Sequence, residues 1–169
     1  MDLSLFFAGT AGSVPTPKRG LPALLLRAGG ERILLDCGEG TQHQLLRSIG
    51  LPDVDAIFIT HLHLDHWMGL PGIIKTFDMR DRDRPLDLYG PPGLSALYGQ
   101  VLRPVIGRTN FPLDVIELEH HEEVRWDDFV IAATSSDAMS SLSSETDKRL
   151  EPGSSVSENF PLTLLKCPG

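Results

Sequence analysis

Residues 56–66 have the sequence AIFITHLHLDH, an apolar run followed closely by four side chains that can bind metals. About four to eight apolar residues in a row are typical of a buried strand. On an extended segment His61 and His63 point to the same side, so two imidazole nitrogens can approach one cation. Asp65 and His66 then face a second position. Histidine and carboxylate ligands suit zinc, with manganese or iron also tolerated, and paired ions commonly hydrolyse phosphate esters. The stretch predicts half of a dinuclear metal site.

The alternative for this stretch is a strand end that carries surface histidines by accident. A lone histidine is more often a solvated or core residue than a ligand. Four ligand types within six residues are not isolated, and they lie between an apolar run and a Gly-Leu-Pro-Gly turn at 69–72. We therefore favour the metal site, although the identity of the metal is left open by the residues alone.

Length and composition limit the protein class. The chain has 169 residues, of which 41% are hydrophobic and 22% charged, which suits one globular domain or part of one. No apolar stretch approaches the length of a membrane-spanning helix, and no secretory signal precedes the first strand, so we expect a cytoplasmic protein without membrane contact. The two cysteines, Cys37 and Cys167, are too few for a disulfide framework, and Cys37 is expected to serve packing.

The net charge of −8 argues against a broad basic surface for nucleic acid. Basic residues cluster at Lys18 and Arg19. They occur again at positions 80, 82 and 84, where they alternate with aspartates at 78, 81 and 83. The second group predicts a solvated loop of mixed charge.

The apolar pattern predicts a layered α/β protein in which strands precede helices. Gly29 and Gly30 separate two apolar runs and predict a hairpin. Helical spacing of Leu45, Leu46 and Ile49 predicts a helix from Thr41 that ends at Gly50. Further strands are predicted at 3–7, 23–26, 33–35, 56–60, 86–89, 115–118 and 130–133, and further helices at 70–77 and after Pro92.

Three segments resemble the N-terminal half of ribonuclease Z, the tRNA 3′-processing endoribonuclease of the metallo-β-lactamase superfamily. They are Gly9-Thr10-Ala11-Gly12, the run LDCGEGTQ at 35–42 and HLHLDHWMGLPG at 61–72. The resemblance spans residues 1–133 and implies the first half of an αββα sandwich. The His-x-His-x-Asp-His element marks the whole superfamily, whereas the Gly-Glu-Gly-Thr-Gln run and the Gly-Leu-Pro-Gly turn are narrower.

The resemblance implies roles for matching residues. His61 and His63 would bind the first of two zinc ions, and Asp65 and His66 the second. Asp65 would also be the catalytic general base that acts on the bridging water, and Asp36 would support the histidine loop from behind. The enzyme would be a metal-dependent hydrolase that cuts precursor tRNA, leaves 5′-phosphomonoesters and works as a homodimer. The loop from Gly9 to Arg19 would approach the substrate backbone, although a plain strand connection explains it equally well; other substrate-binding residues are unknown.

The chain departs from the family pattern after residue 133. The family needs a third histidine for the first zinc, a bridging aspartate and a last histidine for the second, but all six histidines lie at or before position 121. His43 is expected on a polar helix face, and His120 and His121 in a solvated acidic loop. The serine-rich segment 134–169 is expected to be poorly structured.

These departures predict a fragment whose end was lost or replaced. Half a sandwich would leave an apolar sheet face exposed, and a zinc with two protein ligands would bind weakly. Two alternatives to ribonuclease Z activity stay open: another phosphodiesterase or esterase of the same fold, and a non-catalytic chain.

Overall fold

Nine strands and five helices are present in the computed structural model, which describes residues 2–134 and 162–166. The strands are β1 (Leu3–Gly9), β2 (Ala23–Ala28), β3 (Glu31–Leu35), β4 (Ala56–Phe58), β5 (Leu86–Gly90), β6 (Leu113–Glu117), β7 (Glu123–Arg125), β8 (Phe129–Ala133) and β9 (Leu162–Lys166). The helices are α1 (Thr41–Ile49), α2 (Leu64–Trp67), α3 (Leu70–Met79), α4 (Leu94–Leu97) and α5 (Arg103–Ile106), with a π-helical turn over Tyr98–Leu102 between the last two.

The larger sheet has the strand order β1-β2-β3-β4-β5-β6. Its first three strands are antiparallel, and β3 to β6 run parallel. Parallel neighbours need crossover connections, which the helices between these strands supply. The carboxyl ends of β3, β4, β5 and β6 therefore meet at one edge of the sheet. The loops at 36, 59–63 and 118–122 leave from that edge.

Alternate side chains of the larger sheet pack in two separate cores. Leu25, Leu34 and Ile57 face the helices in a core that also contains Leu45, Ile73 and Phe77. Leu26, Ile33 and Phe58 face β8 of the smaller sheet, which has the order β7-β8-β9. All three residues of β4 are buried because both faces of the sheet are covered there.

The smaller sheet corrects the expectation of a bare apolar face. Phe129 and Ile131 of β8 bury the inner face of β2, β3 and β4. Coverage stops short of β1, where Leu3, Leu5 and Phe7 are 50%, 50% and 63% exposed. The apolar surface that the larger sheet exposes is therefore a stripe along β1 rather than a whole face.

Most elements match the sequence pattern. Gly29 and Gly30 have φ angles of 57° and 94° and form the predicted two-residue hairpin turn, and α1 spans the predicted Thr41–Ile49. The sequence pattern missed β7 and β9. Strand β9 lies in the segment expected to be poorly structured; residues 135–161 and 167–169 of that segment lie outside the described residues, so the division at residue 133 stays a prediction.

The expected solvated loop at 78–84 is wrong for Asp78 and Arg82, each 6% exposed. The guanidinium of Arg82 lies 5.3 Å from the Phe77 ring and 5.4 Å from the Phe111 ring. It also donates to the backbone carbonyls of Arg84 and Pro85. Alternating charge in the sequence therefore hid a buried cation held between two aromatic rings. Within the described ranges, no helix has the length and apolarity to cross a membrane.

Candidate metal centre

The predicted ligand side chains lie together at the carboxyl edge of the larger sheet. His61 and His63 lie between β4 and α2, and Asp65 and His66 lie within α2. The ring centroid of His61 is 4.7 Å from that of His63 and 3.8 Å from that of His66. The carboxylate of Asp65 is 3.6 Å from Nε2 of His66. The short helix α2 thus folds the second pair of side chains back toward the first.

Asp36 lies behind this cluster, directly after the end of the neighbouring strand β3. Its φ angle of 58° is in the left-handed region, which aspartate tolerates better than most residues. Its Oδ2 lies 2.8 Å from Nδ1 of His66. Metal-binding histidines commonly donate their other ring N–H to a carboxylate in this way. The position of Asp36 is the one that a supporting residue needs, and its role stays a prediction.

Thr60 is a member of the site that the sequence analysis missed. Its backbone N–H donates to Oδ1 of Asp36 over 2.8 Å, and its hydroxyl is 2.9 Å and 3.0 Å from the two carboxylate oxygens. The same hydroxyl is 3.0 Å from Nδ1 of His61. A hydroxyl residue between a buried strand and a run of ligands is the signal that could have indicated it.

The two histidines that share this network have pKa values displaced in opposite directions. Burial lowers the pKa of His61 below its ordinary value, and the charge of His66 adds to this effect. Burial also acts to lower the pKa of His66, but the hydrogen bond to Asp36 and the charges of Asp36 and Asp65 outweigh it and raise that pKa. Relative to a free imidazole, the network therefore favours the neutral form of His61 and holds a proton more firmly on His66.

The glycines of the quoted motifs allow the surrounding backbones to approach one another. A Cβ atom on Gly38 would lie 2.5 Å from the carbonyl oxygen of Asp65, and one on Gly69 would overlap the carbonyl oxygen of Gly38. The backbone N–H of Cys37 donates to the carbonyl of His66 over 2.7 Å, and that of Gly69 donates to the carbonyl of Cys37 over 2.8 Å. These bonds fix α2 against the segment that follows β3.

Other motif residues also serve the scaffold. Gln42 donates to the hydroxyl of Thr76 on α3, and a Cβ on Gly72 would lie 2.8 Å from the Gln42 side chain. A Cβ on Gly9 would overlap the carbonyl of Leu21, so only a residue without a side chain lets these two backbone segments pack together. Cys37 is buried, as predicted. Its pKa is raised to about 12 by burial, which suits a packing residue.

The donor types fit a zinc site, and so does the carboxylate behind His66. However, in the ranges 2–134 and 162–166 no group of three or more His, Cys, Asp or Glu side chains is arranged to hold an ion. His43 is exposed on α1, and His120 and His121 are exposed after β6, as expected. The four predicted ligands, His61, His63, Asp65 and His66, would therefore make up only part of a ligand set, and their roles stay predictions.

Comparisons with known proteins identify relatives of this chain. Ribonuclease Z of Natronomonas pharaonis is 45% identical over 115 residues, which are 68% of this chain and 37% of that protein. Ribonuclease Z of Methanothermobacter thermautotrophicus is 38% identical over 152 residues, 89% of this chain and 50% of that protein. The chain thus spans half or less of the length of these relatives, and the predicted resemblance to ribonuclease Z is confirmed.

The fold comparison gives the same result. The crystal structure of human tRNase Z, short form, superposes with a TM-score of 0.71 and 27% identity, over 96% of this chain and 64% of that one. Residues 19–146 match the profile of the Metallo-beta-lactamase superfamily. Because that match covers most of the sequence, this chain belongs to the metallo-β-lactamase superfamily.

Proposed function

We propose that this chain is part of a zinc-dependent endoribonuclease of the ribonuclease Z type, which removes the 3′ trailer from precursor tRNA. One observation carries the proposal: four side chains of the types that bind metals, with a carboxylate behind one of them, lie at the sheet edge of a chain whose relatives are named ribonuclease Z. A cytoplasmic location and a homodimer are also parts of the proposal: the first is the expectation from the sequence pattern, and the second rests on the resemblance alone.

In this proposal His61 and His63 would hold one zinc ion, and Asp65 and His66 the other. When bound, such ions polarise phosphoryl oxygens and lower the pKa of water. Asp65 has the chemistry of a general base, because a carboxylate can orient a water molecule and take its proton. Its side chain is 16% exposed, so solvent can reach it while neighbouring groups restrict its rotamer. Asp36 and Thr60 would keep the rings of His66 and His61 in place.

A second candidate is a non-catalytic chain that keeps the fold without the chemistry. It is favoured by the lack of a three-donor arrangement among the side chains of residues 2–134. Structural zinc sites usually have four protein ligands and catalytic sites three. An ion with only two protein ligands would bind weakly and dissociate readily into solvent. This candidate predicts weak zinc binding and no cleavage, whereas the first predicts cleavage.

The test measures zinc per chain by mass spectrometry and cleavage of a precursor tRNA on the same sample. About two zinc ions with cutting at the start of the 3′ trailer would support the proposal. Asp65→Asn should then lower the cleavage rate by roughly 10²–10⁴-fold. His43→Asn is the matched control, because His43 is exposed on α1 and should leave the rate unchanged.

Three results would contradict the proposal. Little zinc together with no cleavage would favour the non-catalytic candidate. Hydrolysis of bis(p-nitrophenyl) phosphate without cleavage of the tRNA would indicate a small-substrate phosphodiesterase. Equal rates for the unmodified chain and Asp65→Asn would exclude Asp65 as the base.

A further inference from the structure

We infer that Thr60 is a positioning residue that fixes His61 in the tautomer with the proton on Nδ1, which leaves Nε2 free to bind a metal. The inference concerns the site on which the proposed function rests. It depends on three distances from the Thr60 hydroxyl, two to the carboxylate oxygens of Asp36 and one to Nδ1 of His61, and the tautomer can be read without zinc or RNA.

The assignment follows from counting protons around Thr60. A hydroxyl has one hydrogen to donate and two lone pairs with which to accept. Its oxygen lies 2.9 Å and 3.0 Å from the two carboxylate oxygens of Asp36, and an ionised carboxylate only accepts. The single hydrogen of the hydroxyl is therefore directed at Asp36.

The contact between Thr60 and His61 must then run in the other direction. The hydroxyl oxygen is 3.0 Å from Nδ1 of His61, and its hydrogen is already engaged. For this contact to be a hydrogen bond, Nδ1 must donate and the hydroxyl must accept. A neutral imidazole with its proton on Nδ1 has a free lone pair on Nε2.

His66 is fixed in the same tautomer by a shorter route. Its Nδ1 is 2.8 Å from Oδ2 of Asp36, which can only accept. Its Nε2 is 3.6 Å from the carboxylate of Asp65, which is too long for a hydrogen bond. Asp36 thus acts directly on His66, and through the Thr60 hydroxyl on His61. One carboxylate therefore fixes the tautomer of both imidazole rings.

Thr60 is itself held in the position that this relay requires. Its backbone N–H donates to Oδ1 of Asp36 over 2.8 Å, so the carboxylate binds both the main chain and the side chain of Thr60. A substitution that keeps the backbone and removes only the hydroxyl should leave this anchor intact. Nδ1 of His61 would then have no hydroxyl to donate to, so the ring would no longer be restricted to one tautomer.

The test uses Thr60→Val, which removes the hydroxyl with little change of shape, and Thr60→Ser, which keeps it. Long-range ¹H–¹⁵N spectra of the metal-free chain report which ring nitrogen of His61 carries the proton. We expect the Nδ1–H tautomer in the unmodified chain and in Thr60→Ser, and a mixture of tautomers in Thr60→Val. Zinc affinity, measured by competition with a chelating dye, should fall about 10–100-fold in Thr60→Val and stay within about threefold in Thr60→Ser.

The spectrum of the unmodified chain is decisive even where Thr60→Val fails to fold. An Nε2–H tautomer of His61 in that spectrum would overturn the inference. So would a folded Thr60→Val that keeps the Nδ1–H tautomer, or a Thr60→Ser that loses it. Failure of tRNA cleavage alone would contradict the proposed function and leave this inference unaffected, because the tautomer is read without metal or RNA.

Discussion

Oδ2 of Asp36 lies 2.8 Å from Nδ1 of His66, although 30 residues separate them in the sequence. The parallel pairing of β3 with β4 brings them together, because the chain leaves both strands at the same edge of the sheet. The left-handed backbone of Asp36 then turns its carboxylate toward the loop that follows β4. Fold topology and a single unusual φ angle thus position a polar partner for a predicted ligand.

Replacement of Asp36 by asparagine should lower the pKa of His66 and weaken zinc binding. The amide keeps the shape but removes the negative charge that offsets burial of the His66 ring. Loss of such a partner typically costs 10–100-fold in metal affinity. The His66 pKa can be followed by NMR titration of the metal-free chain, and the affinity by calorimetry.

Asp114→Asn is the control for Asp36→Asn. It removes the same charge from an exposed position on β6, away from the histidines. An unchanged His66 pKa in Asp36→Asn, or an equal change in Asp114→Asn, would show that the contact with Asp36 does not govern His66.

The sequence predicted the elements whose side chains have a clear period. Strands β2 to β5 and helices α1 and α3 were found because one or both of their faces are buried in the two cores. Strand β7 has three residues, of which only Val124 contacts the core, so its pattern carries almost no signal. Arg82 was misplaced because its burial depends on two distant aromatic rings, which local charge alternation does not report.

In the site too, local features could be predicted from the sequence and contacts between distant segments could not. The ligand run at 61–66 is local and could be quoted from the sequence. The contacts of Thr60 could not, because they join β3 to the end of β4 and follow from strand pairing. The motif glycines were associated with the family, but their close approaches to Asp65, Cys37 and Leu21 need coordinates.

Replacement of Gly38 by alanine should destabilise the fold by roughly 1–3 kcal/mol. A Cβ there would lie 2.5 Å from the carbonyl of Asp65 and 2.5 Å from Cβ of Leu21. The backbone on either side is hydrogen-bonded and cannot move away without loss of those bonds. Urea unfolding followed by circular dichroism measures the change.

Gly12→Ala provides the comparison for Gly38→Ala. No atom lies within 4 Å of a Cβ at Gly12, so its free energy of unfolding should stay within about 0.5 kcal/mol of the unmodified value. Equal stability of the two variants would contradict the close packing of Gly38 against α2.

Self-association should fall when the exposed stripe on β1 is made polar. Leu5 and Phe7 are 50% and 63% exposed and lie on an edge strand that pairs only with β2 among the described strands. Exposed apolar edges favour contact between chains. The double variant Leu5→Thr with Phe7→Thr keeps β propensity and removes apolar area, and sedimentation velocity should show less oligomer.

Val105→Thr tests whether any exposed apolar residue has the same effect. Val105 is 71% exposed on α5 and should leave sedimentation unchanged. If Val105→Thr reduces the oligomer and the β1 double variant does not, the contact lies on the helical face instead.

The stability of the fold should decline between pH 10 and 12, in part because of Tyr89. Burial, followed by the charge and the hydrogen bond of Asp87, raises the pKa of Tyr89 from 10.0 to about 12. The folded state therefore holds the phenol proton more tightly than the unfolded state does. The resulting stabilisation is fully present below the unfolded pKa and is lost as the pH rises through the folded pKa.

Urea unfolding at a series of alkaline pH values measures this decline, and absorbance at 295 nm reports ionisation of the tyrosines. Tyr89→Phe keeps the ring that stacks on Phe58, with centroids 4.6 Å apart, but has no proton to lose, so its stability should decline less steeply. Tyr98→Phe is the comparison: burial raises the pKa of Tyr98 as well, but the charge of Arg103 opposes that rise, so Tyr98→Phe should flatten the decline less than Tyr89→Phe does. An equally steep decline in Tyr89→Phe and the unmodified chain would mean that Tyr89 ionises alike in the folded and unfolded states, and that Asp87 and burial do not protect its proton.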